Sequence, residues 1–158
     1  MNSSVKPKVP LKLLLDTTYL LPVVGVDVED IHNTLKALQR LFHRRKIQLH
    51  CTPFNLMELL AKLSKTTYDE ERVLIGLESM RKHFTVTHPT VKGYVKALKL
   101  RKEGFRDFID LLLYTTAVTR QLRFLTRDED LKNFLKSRGE NVECLLSERE
   151  LERLVNTL

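Results

Sequence analysis

Residues 110–131 read DLLLYTTAVTRQLRFLTRDEDL. Extended back to Asp107, the first half is a strongly apolar helical pattern running to Arg120, with small Thr and Ala residues inside it and no Gly or Pro. Arg123–Thr126 has the length and composition of a short buried strand. Asp128 then opens a second helical pattern, to Arg138, which Gly139 stops. Helix, short strand, helix is the repeating unit of a parallel sheet covered on both faces. Two acids stand in this stretch where a charge needs a reason. Asp110 sits among Phe108, Ile109 and Leu111, and Asp128 follows directly on the strand. An unpaired charge buried there would be costly.

Working outward, the same alternation covers the chain. Lys12–Asp16 (KLLLD) predicts a buried strand that ends at an acid, and Thr17–Pro22 a short helix. Asp30–Arg45 places Ile31, Leu35, Leu38, Leu41 and Phe42 at helical spacing, with basic residues at the C-terminal end. Ile47–Cys51 predicts a strand, and Thr52-Pro53 a cap and first turn for a helix to about Ser64. Asp69–Lys82 reads as a helix, Phe84–Thr87 as a strand, and Pro89 opens a helix that Gly104 ends. Val142–Leu145 predicts the last strand, and Ser147 with Glu150 forms a capping box for a C-terminal helix. The expected fold class is α/β: three layers, α/β/α, around a mostly parallel sheet of about five strands. Residues 1–158 are expected to form a single domain, with 1–10 (MNSSVKPKVP) a flexible N-terminal extension.

Composition excludes several classes. Apolar residues make up 42% and charged residues 30%, as in an ordinary globular protein. The longest near-apolar run, Leu20–Val26, is far too short to cross a bilayer, and the N-terminus lacks the apolar core of a secretory signal. Cys51 and Cys144 are too few for a disulfide framework and read as buried thiols. A cytoplasmic protein without a membrane partner is the expectation. The five His residues lack zinc spacing, and there is no Gly-rich phosphate loop and no G-x-S-x-G elbow. Net charge is +7, concentrated in HRRK at 43–46, KALKLRKEGFR at 96–106, and Arg120, Arg123 and Arg127. That balance favours a polyanionic partner, and the second run leads straight into Asp107 and Asp110.

Four carboxylates carry the chemistry: Asp16, Glu58, Asp110 and Asp128. Parallel-sheet proteins bind ligands outside the carboxyl ends of their strands. Asp16 and Asp128 follow strands there, and Glu58 lies about two turns into the helix after the second strand. Clustered carboxylates repel one another and hold divalent cations readily. Mg²⁺ and Mn²⁺ take oxygen ligands and can activate a water toward a phosphodiester. Each acid also has a bland reading: Asp16 as a turn cap, Glu58 paired with Lys62, Asp128 as a helix N-cap. Asp107, three residues before Asp110 on the same helix face, could replace or assist it.

The strings LLLDTTYLLP, NLMELLAKL and DLLLYTTAVTRQLRFLTRDEDL, in that order, resemble the motifs of the PIN-domain ribonucleases. The resemblance implies a PIN-like fold and an endoribonuclease in which Asp16, Glu58, Asp110 and Asp128 are catalytic and hold Mg²⁺ or Mn²⁺. It implies that Thr126 hydrogen-bonds within the cluster and that Thr17 fills a similar small polar position. Asp107 departs from the family's pattern and reads as support for Asp110, more like an N-cap than a ligand. Arg106, Arg120 and Arg127 are candidates to meet RNA phosphates. Stand-alone chains of this kind resemble VapC-type toxins, which implies a small antitoxin protein as partner and a homodimer. A PIN-like RNA- or protein-binding module without turnover, and an RNA-processing nuclease outside any toxin–antitoxin pair, are the alternatives.

Overall fold

In the computed structural model, which describes residues 9–158, alternation along the strands builds two cores. Strand β1 (Leu11–Leu15) sends Leu13 and Leu15 to one face of the sheet and Leu14 to the other. Four more strands complete a sheet: β2 (Ile47–Cys51), β3 (Phe84–Val86), β4 (Arg123–Leu125) and β5 (Leu145–Leu146). Every pairing is parallel, and the order is β3-β2-β1-β4-β5. The expected mostly parallel sheet of about five strands is thus an entirely parallel sheet of five. The expected extension over 1–10 lies largely outside the described residues.

Helices cover both faces. The Leu13/Leu15 core takes side chains from α2 (His32–His43), α3 (Pro53–Ser64), α4 (Glu70–His83) and α8 (Glu148–Thr157), including Leu41, Leu59, Met80 and Leu151. The Leu14 core takes them from α5 (Val91–Lys102), α6 (Phe108–Arg120) and α7 (Glu129–Ser137), including Leu100, Leu113 and Leu135. Helix α1 (Thr17–Leu20) and a 3-10 turn over Leu21–Val24 follow β1 directly. No helix among the described residues is long and apolar enough to cross a membrane.

Three elements start two or more residues later than the sequence places them, while the other starts shift by less. The last strand forms at Leu145–Leu146, not from Val142, because Asn141 starts a turn. Its Oδ1 accepts from the Glu143 N–H at 2.8 Å, and its carbonyl accepts the Tyr114 hydroxyl at 2.6 Å. Helix α2 begins two residues late, since Asp30 adopts a left-handed φ of 55°. The helix after Pro89 begins at Val91, with Thr90 as its N-cap accepting from the Gly93 N–H at 3.2 Å. Cys51 is buried, while Cys144 is half-buried.

Candidate functional site

The strand order turns at β1. The chain winds from β1 through β2 to β3 on one side, then returns to place β4 on the other. Such a switch point leaves a crevice between the two strands at their carboxyl ends, where neighbouring connections leave in opposite directions. Asp16 directly follows β1, and Thr126 directly follows β4. The two strands stay paired up to Leu15 and Leu125, and the Asp16 N–H donates to the Leu125 carbonyl at 3.1 Å.

Each acid is placed by an ordinary local rule. Asp16 is the N-cap of α1, its Oδ1 accepting the Thr17 N–H at 2.7 Å. Asp128 caps α7, its Oδ1 accepting from the Leu131 N–H at 3.1 Å. Asp107 caps α6 by accepting the N–H of Asp110 at 3.1 Å, which leaves Asp110 in the first turn of that helix. Acids at helix N-termini are favoured by the macrodipole, so local structure alone gives these residues a reason to be there. What local structure does not explain is burial: Asp16 and Asp110 are each only 8% exposed. Glu58 is half-buried on α3 and leans toward Lys62 at 3.7 Å, the surface pairing its i,i+4 spacing allows.

Asp16, Glu58, Asp110 and Asp128 act on one another electrostatically. Burial pushes the Asp16 carboxyl up to about 6, against hydrogen bonds from Thr126 and Thr17 that lower it, with Glu58 and Asp128 adding repulsion. Burial also drives Asp110 well above the carboxylate range, joined by the charge of Asp16, a hydrogen bond to Asp128, and the charges of Asp107 and Asp128. Among the described residues, no three His, Cys, Asp or Glu side chains are close enough as they stand to hold a metal ion. Like charges with no cation between them separate or take up a proton.

The donor set nevertheless fits a hard divalent cation. It is all oxygen, as Mg²⁺ and Mn²⁺ require, and offers neither the thiolate nor the imidazole that zinc favours. The caps use one lone pair of Asp16 Oδ1 and of Asp128 Oδ1, and Thr126 uses one of Asp16 Oδ2, which leaves each carboxylate with lone pairs for a cation. Beside Asp16, Thr17 Oγ1 is a buried side-chain oxygen with no hydrogen-bond partner among the described residues.

Two threonines and one asparagine hold the crevice. Thr126 donates its hydroxyl to Asp16 Oδ2 at 2.8 Å and accepts the Asp128 N–H at 3.1 Å, joining two of the acids. Sequence reasoning passed over Asn55, which is fully buried at the third position of α3. Its Oδ1 accepts from the Thr52 N–H at 2.6 Å and the Thr52 hydroxyl at 2.8 Å. Its Nδ2 donates to the Leu15 carbonyl at 2.9 Å. That last bond ties the helix bearing Glu58 to the residue before Asp16. The T-P-x-N spacing was the available signal, since Asn can close a capping box as Glu or Gln does.

The three arginines expected to meet RNA are not equivalent. Arg106 is exposed on the loop before α6. Arg120 donates its Nε to the His88 carbonyl at 2.9 Å, tying α6 to the loop after β3. Arg127 is directed away from the acids, toward Glu148 of α8.

Comparison with known proteins bears on the fold and the family. No curated protein matches the chain significantly. Among solved structures, VapBC2 from Rickettsia felis, bound to a DNA fragment from its promoter, superposes with a TM-score of 0.59 at 16% identity, covering 87% of this chain and 97% of that one. PAE2754 from Pyrobaculum aerophilum superposes with a TM-score of 0.60 at 14% identity, covering 100% and 99%. FitAB bound to the IR36 DNA fragment gives 0.57 at 11% identity, covering 86% and 94%. At these identities the likeness is one of fold. The family model for the PIN domain matches residues 13–136, a span that holds most of β1, all of β4, Thr126 and the four acids Asp16, Glu58, Asp110 and Asp128, and the chain belongs to the PIN domain family.

Proposed function

We propose that this chain is a metal-dependent endoribonuclease, acting as a single domain in the cytoplasm. Asp16, Asp110 and Asp128 would hold Mg²⁺ or Mn²⁺, and Glu58 would hold a second ion or orient a water. The observation that carries the reading is the burial of Asp16 and Asp110 side by side at the switch point, both lifted above the carboxylate range. Structural carboxylates are stabilised by lowering their pKa; these two are destabilised, a state that proteins maintain where a ligand relieves it.

A bound divalent ion would supply Lewis acidity, acidifying a water and offsetting charge on the scissile phosphate. The chain's own residues do the rest. Thr126 fixes the rotamer of Asp16 and, through the Asp128 N–H, the start of α7. Asn55 sets the distance between the Glu58 helix and β1. Burial of Asp16 and Asp110 limits water around the carboxylates, which strengthens their hold on a cation.

The toxin–antitoxin role is supported by the fold of the VapBC2 and FitAB relatives, and it brings a small antitoxin as partner. A homodimer is supported by exposed apolar side chains on two adjoining helices: Met57 and Leu60 on α3, and Val91, Tyr94, Val95 and Leu98 on α5. The helices meet where Phe54 packs edge-on against Tyr94 at 6.1 Å. Apolar patches of this kind on a small domain mark interaction sites.

The test is a fluorescent mixed-sequence RNA incubated with purified protein in Mn²⁺, Mg²⁺ or EDTA, beside Asp16→Asn. Cleavage that requires metal and disappears in the variant is expected. Equal cleavage by both proteins would overturn the assignment of the acids. RNA left intact by folded, partner-free protein would favour a binding module.

A further inference from the structure

Arg127 stands in sequence between Thr126 and Asp128, yet its side chain serves a different set of partners. Nε donates to Glu148 Oε1 at 2.8 Å, and Nη2 lies 2.7 Å from the same oxygen. Nη1 donates to the Glu29 carbonyl and Nη2 to the Asp30 carbonyl, both at 3.3 Å. The Tyr19 hydroxyl also donates to Glu148 Oε1, at 2.9 Å, from a ring that is 1% exposed. One carboxylate oxygen of α8 therefore gathers a phenol from α1 and a guanidinium from the segment after β4.

Both arms of this network begin beside the candidate metal ligands. Asp16 caps the helix that carries Tyr19, and Asp128 is the residue after Arg127. Glu148 stands at the start of α8, which the capping box of Ser147 and Glu150 fixes and where the helix dipole favours a carboxylate. The bonds to Glu148 and to the 29–30 turn use most of the guanidinium's donors, leaving few for a phosphate. Glu148 also lies beyond the span 13–136 that the family model matches.

We propose that Arg127, Glu148 and Tyr19 form a positioning latch. Through it the C-terminal helix α8 holds the Thr126–Asp128 segment against Asp16 and thereby sets the site's affinity for its divalent cation. The latch rests on the metal reading given above. It also reassigns Arg127 from substrate contact to support of the acids. Lysine should not replace it, because the rigid fork that reaches one carboxylate and two carbonyls has no counterpart in an ammonium group.

The experiment measures Mn²⁺ affinity by titration calorimetry without RNA, and amide exchange at 126–128 in EDTA. Glu148→Gln and Arg127→Lys are compared with wild type and with Arg81→Ala, which breaks an exposed pair with Glu78 elsewhere. The two latch variants should lose about tenfold in Mn²⁺ affinity, the usual effect of removing an outer-shell partner. Exchange at 126–128 should quicken while circular dichroism stays native and RNA binding in EDTA is unchanged, and Arg81→Ala should alter none of these. If either variant unfolds, Tyr19→Phe removes one bond to Glu148 and should weaken Mn²⁺ binding in the same direction. Native folds with unaltered Mn²⁺ affinity would overturn the latch. So would an Arg127→Lys that binds RNA more weakly with Mn²⁺ affinity intact. Wild-type protein that binds no Mn²⁺ overturns the metal reading and the latch with it, a failure recognised by its presence in the unmutated chain.

Discussion

The Thr126 hydroxyl reaches Asp16 Oδ2 at 2.8 Å across 110 residues of sequence. Because it also accepts the Asp128 N–H, this one oxygen sets the spacing of two acids. Thr126→Val keeps the shape and removes both interactions. We expect it to cost about 1–3 kcal/mol of stability through the unpaired buried groups, and to reduce RNA cleavage at least tenfold. Urea denaturation and a cleavage time course check the two effects; full activity in a folded variant would remove Thr126 from the site.

Asp110→Asn should trade function for stability. The carboxylate it replaces is held above its ordinary pKa chiefly by burial and then by the charge of Asp16, so at pH 7.5 its ionised form is a liability in metal-free protein. The variant should be more stable than wild type in EDTA by about 1–3 kcal/mol, a common pattern at functional sites, and inactive. A metal-free variant less stable than wild type would mean that Asp110 is a structural carboxylate.

Stability in EDTA should fall as the solution becomes more basic. Burial lifts Asp16 from an ordinary 3.8 to about 6 in the folded chain. Between those values the folded state keeps a proton that the unfolded state has released. The stabilisation is complete below about pH 4 and is lost as pH rises through about 6, a span worth about 3 kcal/mol for Asp16 alone. Asp110 shifts in the same direction and extends the window upward. Saturating Mn²⁺ should offset the loss, most strongly above pH 6. Urea midpoints at pH 5 and 7.5, with EDTA and with Mn²⁺, provide the check. A midpoint in EDTA that rises between those pH values would contradict the clustering.

Asn55→Ala removes a fully buried side chain that makes three hydrogen bonds. It should destabilise by about 2–4 kcal/mol, combining a lost cap with unpaired buried groups. Asn55→Asp should be worse, since it deletes the donor to the Leu15 carbonyl and adds a buried charge. Chemical denaturation of both variants decides this, and a cost below about 1 kcal/mol for Asn55→Ala would show that the α3–β1 tie is dispensable.

Where the sequence was legible, the information was local. Ile47–Cys51 and the helix Pro53–Ser64 form at the expected positions, because Thr52 and Pro53 define that boundary within two residues. Asp128 as cap of α7 and Ser147 with Glu150 as a capping box were visible for the same reason. The last strand was misplaced because the Asn141 turn depends partly on Tyr114, which lies on a distant helix. Asn55 escaped notice, and Arg127 was read as an RNA contact, because their partners come from other elements: Leu15 from β1, and Glu148 from the C-terminal helix. The choice between Asp107 and Asp110 was open on spacing alone. In the fold, Asp107 gives an oxygen to the N–H of Asp110 and stays exposed, while Asp110 turns inward.

The return of the chain across β1 governs the order in which the four acids can come together during synthesis. Asp16 and Glu58 emerge from the ribosome early, but β4 must slot in beside β1 before Asp128 has a place to stand. Any nascent fragment ending before residue 123 therefore holds half a crevice and cannot assemble the four acids. If the chain cuts RNA, its topology delays that activity until β4 has been made and seated beside β1.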